Sequence, residues 1–298
     1  KWLGETPGIN AKAVGLNGKR GAIIDLRTTD PDRARVRAAQ YLAERLASFS
    51  TTNGITLNVH VAGFAASYAG AGDWTALTPD TLETVKSRIS AVGDDVQDYD
   101  TDYWNALEGA RQDLVDHDAS GCRAVAWLSD GEYDLDMRDS GAGQDIGTDK
   151  PYAPGVRLDS EDGVAQAEQA GTADICRPTG VADQLRSSGV TLLGLGLSDG
   201  GADFTFMRRI VGGGGTNAAA NGVESCGDVS SPTGSFYPVS DIDSLLMAFD
   251  SISAAGTTVR SDSVSVCQGG ACAEGESSFV VDGSLQDVHV LASSDVDG

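Results

Sequence analysis

A chain of 298 residues with 40% apolar side chains is large enough for one substantial domain with a smaller one beside it, and too apolar for wholesale disorder. Its 21 lysines and arginines stand against 44 aspartates and glutamates, a formal charge of -23, which repels phosphate backbones and argues against nucleic acid as a partner. Apolar runs such as Thr191 to Leu197 fall far short of the roughly 20 residues that span a bilayer, and Lys1 opens no apolar leader, so both ends are expected to be processing boundaries.

Residues 1–19 lack periodicity and are read as an N-terminal extension. From there strand and helix patterns alternate. Gly21 to Leu26 is a short apolar run and reads as a buried strand. Pro31 to Phe49 places Val36, Ala39, Leu42, Ala43, Leu46 and Phe49 at helical spacing, with Pro31 suited to the first turn. Ile55 to Phe64 alternates apolar and polar residues and reads as a strand. Leu82 to Val92 and Tyr103 to Val115 are helical, and Cys122 to Leu128 is a buried strand. The spacing then predicts a helix over Val181 to Arg186, a strand over Val190 to Leu197, a helix over Asp203 to Val211, a strand over Ser235 to Val239 and a helix over Ile242 to Ile252. Two stretches interrupt the order and read as insertions: 133–179, rich in Asp and Gly, and 212–233, with four consecutive glycines. Beyond Gly256 the pattern becomes strand-like, at Thr257 to Val266 and Ser278 to Leu291.

The fold class expected is therefore α/β: a doubly wound, mostly parallel sheet over 20–255, followed by a partial all-β module over 256–298. Sheets of this kind bind ligands at the carboxyl ends of their strands. The residues found there are Asp25 with Thr28 and Thr29, then Asp100-Thr101-Asp102 before a helix, then Ser129-Asp130-Gly131-Glu132 after the central strand. Carboxylates and hydroxyls converging on one edge suit a hard cation, with water completing its shell. Each has a plainer reading beside it. Asp130 before Gly131 is also a turn signal, and Thr101 serves equally as a helix N-cap. Asp100, Asp102, Glu132, Asp134 and Asp136 read as solvated loop charges. Trp104 and Trp127 read as packing residues. His60, His117 and His289 have neither zinc spacing nor triad partners.

Cys267-Gln-Gly-Gly-Ala-Cys272 can close a small loop, and no metal-ligand spacing surrounds it, so a Cys267–Cys272 disulfide and an oxidising compartment are expected. Cys122, Cys176 and Cys226 leave one thiol over after any pairing. The chain has neither a Gly-x-Ser-x-Gly elbow nor a phosphate-binding glycine loop, and no enzymatic activity is expected.

Thr101-Asp102-Tyr103-Trp104-Asn105-Ala106-Leu107 resembles the second metal loop of von Willebrand factor A domains, and Trp127-Leu128-Ser129-Asp130-Gly131 resembles their third. Gly189 to Gly196 and Phe236-Tyr237-Pro238-Val239 are similar to the end of that domain. The resemblance covers about Gly21 to Ser253 and is closer to secreted or surface-anchored actinobacterial members. It implies an extracellular adhesion or protein-binding module at the cell surface. Its metal-ion-dependent adhesion site would hold Mg2+, or Ca2+ or Mn2+, by Asp25, Thr29, Thr101 and Asp130, and an acidic side chain of a protein ligand would complete the shell. The first loop departs from the family's Asp-x-Ser-x-Ser, reading Asp25-Leu26-Arg27-Thr28-Thr29. Thr29 keeps a hydroxyl where the second serine stands, but the Arg27 guanidinium has no acceptor; in another alignment the serine segment is absent. A metal-free scaffold in which Arg27 replaces the cation is the alternative, and a metal-dependent phosphoester hydrolase the remoter one. The family's topology further implies Cys122 paired with Cys226, with Cys176–Cys226 as the other pairing.

Overall fold

A computed structural model describes residues 34–94, 100–117, 121–138, 150–197, 203–212, 226–232 and 234–239. The expected strand at Gly21 to Leu26, the helix at Ile242 to Ile252 and the β-rich module at 256–298 lie outside the described residues, as do Asp25, Thr29, Cys267 and Cys272.

The centre is a three-stranded parallel sheet, β5 (Arg123–Ser129), β6 (Val190–Leu197) and β7 (Ser235–Val239), in that order. Trp127 lies opposite Gly194, and Leu195 opposite Tyr237. Parallel neighbours require crossovers, and the chain supplies helices for them. Helix α5 (Val181–Ser187) leads into β6, and Gly189, at φ 77°, ends the turn between them. Helix α6 (Thr205–Gly212) lays Met207, Ile210 and Val211 on the sheet. It approaches closely because β6 carries glycines. A Cβ at Gly194 would lie 3.0 Å from Val211 Cγ1, and one at Gly196 2.6 Å from Phe204 Cδ2.

Helix α3 (Tyr103–Asp116) packs Tyr103, Leu107 and Leu114 into the same core, with the Tyr103 ring edge-on to Trp127 at 4.4 Å. Helices α1 (Ala34–Asn53) and α2 (Leu82–Asp94) form a second cluster, Ala43, Ala47, Leu77 and Val85, joined by the partly buried Leu57, Val59 and Val61. Of the strand read at Ile55 to Phe64, only Asn58–Val59 and Ala62–Phe64 are strand, and Ile55 is exposed. β1 (Asn58–Val59) pairs antiparallel with β4 (Thr75–Ala76), and β2 (Ala62–Phe64) with β3 (Tyr68–Gly70). Alternation marks extended chain with one buried face; it does not choose the partner. Trp74, stacked between His60 and His117 with ring centroids 5.4 and 4.2 Å away, fastens these hairpins to the end of α3.

The insertion at 133–179 is not a bare loop. It contains α4 (Glu161–Cys176), capped by Ser160, whose Oγ accepts the Gly163 N–H at 3.2 Å. Leu135, Ala153, Leu158 and Ala167 close a small core of its own. Cys176, at the end of α4, forms a disulfide with Cys226, with Cα atoms 4.5 Å apart. This corrects the Cys122–Cys226 pairing: Cys122 is exposed and free at the start of β5. The chain beyond Cys226 is instead fixed to α5. Asp183 accepts backbone N–H groups of Thr179, Asp228 and Val229 at 2.9 to 3.0 Å, and Arg186 donates to the Cys226 and Ile210 carbonyls. No helix among the described residues is long and apolar enough to cross a membrane.

Candidate functional site

β5 ends at Ser129, and the chain turns at once. Ser129 Oγ donates to the Gly131 carbonyl at 2.9 Å and accepts the Gly131 N–H at 3.2 Å. Tyr103 Oη donates to the same carbonyl at 2.6 Å; burial pushes its phenol up, so it remains a donor. The Asp-Gly turn reading of 130–131 is therefore correct as local structure, and it does not exhaust the position. A Cβ at Gly131 would stand 2.9 Å from Thr101 Oγ1, so only glycine lets the two loops meet this closely. Thr101 also exchanges backbone hydrogen bonds with Asp134, 2.8 Å from its own N–H and 3.4 Å to its carbonyl, an antiparallel bridge. Thr101 and Asp130, chosen from sequence, thus lie on neighbouring loops at the carboxyl end of β5.

A cation already touches this edge. Arg35 Nη1, in the first turn of α1, lies 3.0 Å from Asp130 Oδ2, with the two side chains 29% and 35% exposed. The basic residue near Asp130 is thus supplied by the helix that follows the first loop. Arg27 lies outside the described residues.

The aspartates on either side of Thr101 were read as solvated charges, and here the structure differs. Asp100 and Asp102 are buried, at 4% and 0% exposure. Asp100 Oδ1 accepts the Asp136 N–H at 2.8 Å and pairs with Arg138 at 2.7 Å, while Oδ2 takes Lys150 Nζ at 3.0 Å. Asp102 Oδ1 caps α3 by accepting the Asn105 N–H at 3.1 Å, which makes Asp102 the N-cap in place of Thr101. Its Oδ2 accepts from Lys150 Nζ at 2.8 Å, Tyr152 Oη at 2.9 Å and Asn105 Nδ2 at 2.8 Å. Burial and the Asp102 charge push the Tyr152 phenol far up, which keeps it a donor. Lys150 is the residue that sequence reasoning missed. It stands inside the 133–179 stretch read as an insertion, and no local pattern marks a lysine whose partners are about 50 residues away.

Asp134 faces the same region. Its side chain is exposed, as a loop charge would be, yet partial desolvation, followed by the charges of Asp100 and Glu132, raises its carboxyl above the ordinary range. Glu132 Oε1 accepts the Asp203 N–H at 2.9 Å, joining the turn after β5 to the start of α6.

No known family description matches the chain, and no curated protein matches it. Among the solved structures similar to it over about three quarters of its length are the following three. One is a von Willebrand factor type A protein from Catenulispora acidiphila, 13% identical, TM-score 0.42, with 76% of this chain and 39% of that one covered. Another is the PilB minor pilin from Streptococcus sanguinis, 12% identical, TM-score 0.49, with 74% and 53% covered. The third is the pilus adhesin SpaC from Lactobacillus rhamnosus GG, 12% identical, TM-score 0.45, with 74% and 28% covered. The chain thus spans between 28% and 53% of the length of these three structures.

The donors at the edge are oxygens. Thr101 offers a hydroxyl and Asp130 a carboxylate, with no nitrogen or sulfur ligand. Ser129 Oγ is engaged with Gly131, and the Asp100 and Asp102 carboxylates are engaged with Lys150. Among the described residues no group of three or more His, Cys, Asp or Glu is arranged to hold a metal ion by itself. Thr101 and Asp130 are oxygen donors of the kind a hard cation takes, while Asp25 and Thr29 lie outside the described residues.

Proposed function

We propose that the chain is an extracellular, non-enzymatic protein-binding module of the adhesive von Willebrand factor A kind. In this reading it has a doubly wound α/β domain over 20–255 and a partial β module over 256–298. Its ligand is engaged at the carboxyl edge of the sheet through a divalent cation, Mg2+ or Mn2+ or Ca2+. Asp130 and Thr101 hold that cation together with Asp25 and Thr29, and an acidic side chain of the partner takes the open position. The observation that carries the reading is the apposition of Gly131 and Thr101, which sets a carboxylate loop and a hydroxyl loop side by side at a strand end. The Cys176–Cys226 disulfide supports an oxidising, secreted or cell-surface setting.

A second reading is favoured by the Arg35–Asp130 contact: a metal-free scaffold of the same fold, in which Arg35 supplies the positive charge. Calorimetric titration of Mg2+, Ca2+ and Mn2+ into metal-stripped protein, with Asp130→Ala as control, separates the two. Binding that Asp130→Ala abolishes supports the cation site. A wild type that takes up no cation at millimolar concentration leaves the scaffold.

A further inference from the structure

The cluster beneath the edge goes beyond that proposal while resting on its choice of Thr101. Lys150 is 1% exposed, and its ammonium group has three protons to place. It finds three oxygens from two separate segments: Asp100 Oδ2 at 3.0 Å, Asp102 Oδ2 at 2.8 Å and the Ala66 carbonyl at 3.0 Å. Ala66 lies in the turn between β2 and β3, and the same carbonyl accepts Asn105 Nδ2 at 2.9 Å. Lys150 itself belongs to the insertion whose small core is Leu135, Ala153, Leu158 and Ala167.

The geometry follows from strand periodicity. Thr101 is held in a β-bridge, and Asp102 is extended at φ −81° and ψ 91°. In extended chain alternate side chains point to opposite sides, so residues 100 and 102 share one side and residue 101 takes the other. The contacts agree: Asp100 and Asp102 meet Lys150, and Thr101 Oγ1 meets Gly131. Fixing the two aspartates therefore aims the threonine. Without the ammonium, two buried carboxylates would face each other across one residue, with Arg138 paired to Asp100.

We propose that Lys150 is a positioning residue for the site. It is an internal cation, delivered by the insertion, that clamps Asp100 and Asp102 and thereby holds Thr101 against the Asp130–Gly131 turn. The seat is oxygen-lined and filled by the chain's own ammonium, so Asp100 and Asp102 are withdrawn from ligation and an external cation is left to the Thr101 side.

The test is hydrogen exchange followed residue by residue in the whole chain, comparing wild type with Lys150→Met, which keeps the stem and removes the charge. Two amides report on the clamp, Thr101 N–H to the Asp134 carbonyl and Asp102 N–H to the Ala65 carbonyl. They should exchange at least tenfold faster in the variant, while amides of α4 and β6 keep their rates. Leu158→Ala, which loosens the insertion's core but leaves the ammonium, should speed α4 amides and spare Thr101. If Lys150→Met does not fold, Lys150→Met with Asp100→Asn keeps the charge balance and should show the same selective loss at Thr101. Unchanged protection at Thr101 and Asp102, or loss spread evenly over the insertion, overturns the proposal. A parallel Mn2+ titration should show at least fivefold weaker binding in Lys150→Met. If the wild type takes up no Mn2+, the cation reading falls, and the exchange data still decide whether Lys150 positions Thr101.

Discussion

At the proposed cation site an external cation would compete with Arg35 for Asp130 Oδ2, and the size of that competition can be worked from the structure. The Arg35–Asp130 pair is 3.0 Å long with side chains 29% and 35% exposed, so it belongs with solvent-screened ion pairs worth about 0.2 to 1 kcal/mol. A cation that takes Asp130 Oδ2 would have to displace the guanidinium. Since 1.4 kcal/mol is a factor of ten in affinity, removing the competitor should strengthen Mn2+ binding by about 1.4-fold to 5-fold. Arg35→Gln is the suitable change, because glutamine keeps a long stem and a comparable helix propensity in the first turn of α1. Calorimetry on metal-stripped wild type and variant, at neutral pH and equal ionic strength, reads the ratio directly. Equal or weaker binding in Arg35→Gln refutes the competition. A variant that loses thermal stability and binds no Mn2+ places Arg35 in a metal-free scaffold, as a structural counter-charge to Asp130.

Three further outcomes are expected. Asp183→Ala leaves three backbone N–H donors of Thr179, Asp228 and Val229 without their acceptor and should cost about 3 kcal/mol in denaturant unfolding. Burial pushes the Asp183 carboxyl up, but those three N–H groups outweigh it and hold it below the ordinary range. Its contribution is therefore full above an unfolded value of about 3.9 and is lost as pH falls through the lower folded value. The deficit of Asp183→Asn against wild type should shrink accordingly in acid. Reduction of Cys176–Cys226, which joins positions 50 residues apart, should lower stability by about 4 kcal/mol on a chain-entropy basis, whereas Cys122→Ser should leave the melting temperature unchanged. Gly131→Ala puts a methyl 2.9 Å from Thr101 Oγ1 and should cost about 1 to 3 kcal/mol by overpacking, with Mn2+ affinity lost at temperatures where the fold persists.

The parts of the fold that were legible in the sequence are those whose burial is local and regular. β6 read as a strand because its apolar residues run continuously and none of them is exposed, β5 and β7 because short apolar runs precede and follow it at the spacing of a parallel sheet, and α3 because Leu107 and Leu114 recur at helical spacing. α4 was illegible because its buried face is Gly163, Ala167, Gly171 and Ile175, in which glycines stand where a pattern search expects large apolar residues. Those glycines make room for neighbours: a Cβ at Gly171 would collide with Tyr133 Oη. β1 and β2 were read as one strand because alternation reports extension and is silent on pairing, and β3 and β4 were not read at all.

The candidate site divides along a different line. Thr101 and Asp130 were legible because a rule about strand ends points to them. Asp100 and Asp102 were assigned to solvent because an isolated acid in a polar loop is nearly always solvated, and the exception requires a partner that sequence distance conceals. Lys150 stands 50 and 48 residues from them, and Arg35 stands 95 from Asp130. In a chain with 21 basic residues for 44 acidic ones, Arg35, Arg138 and Lys150 meet Asp130, Asp100 and Asp102 within one region. The three contacts differ in access. Lys150 and Arg138 are sealed, at 2% and 8% side-chain exposure, whereas Arg35 is open to water. Displacing a buried partner would strand a carboxylate in low dielectric, at a cost several times that of parting an exposed pair. Of these three pairs only Arg35–Asp130 is open to exchange with a solvent cation, which makes Asp130 the adjustable charge among them and Asp100 and Asp102 the fixed frame.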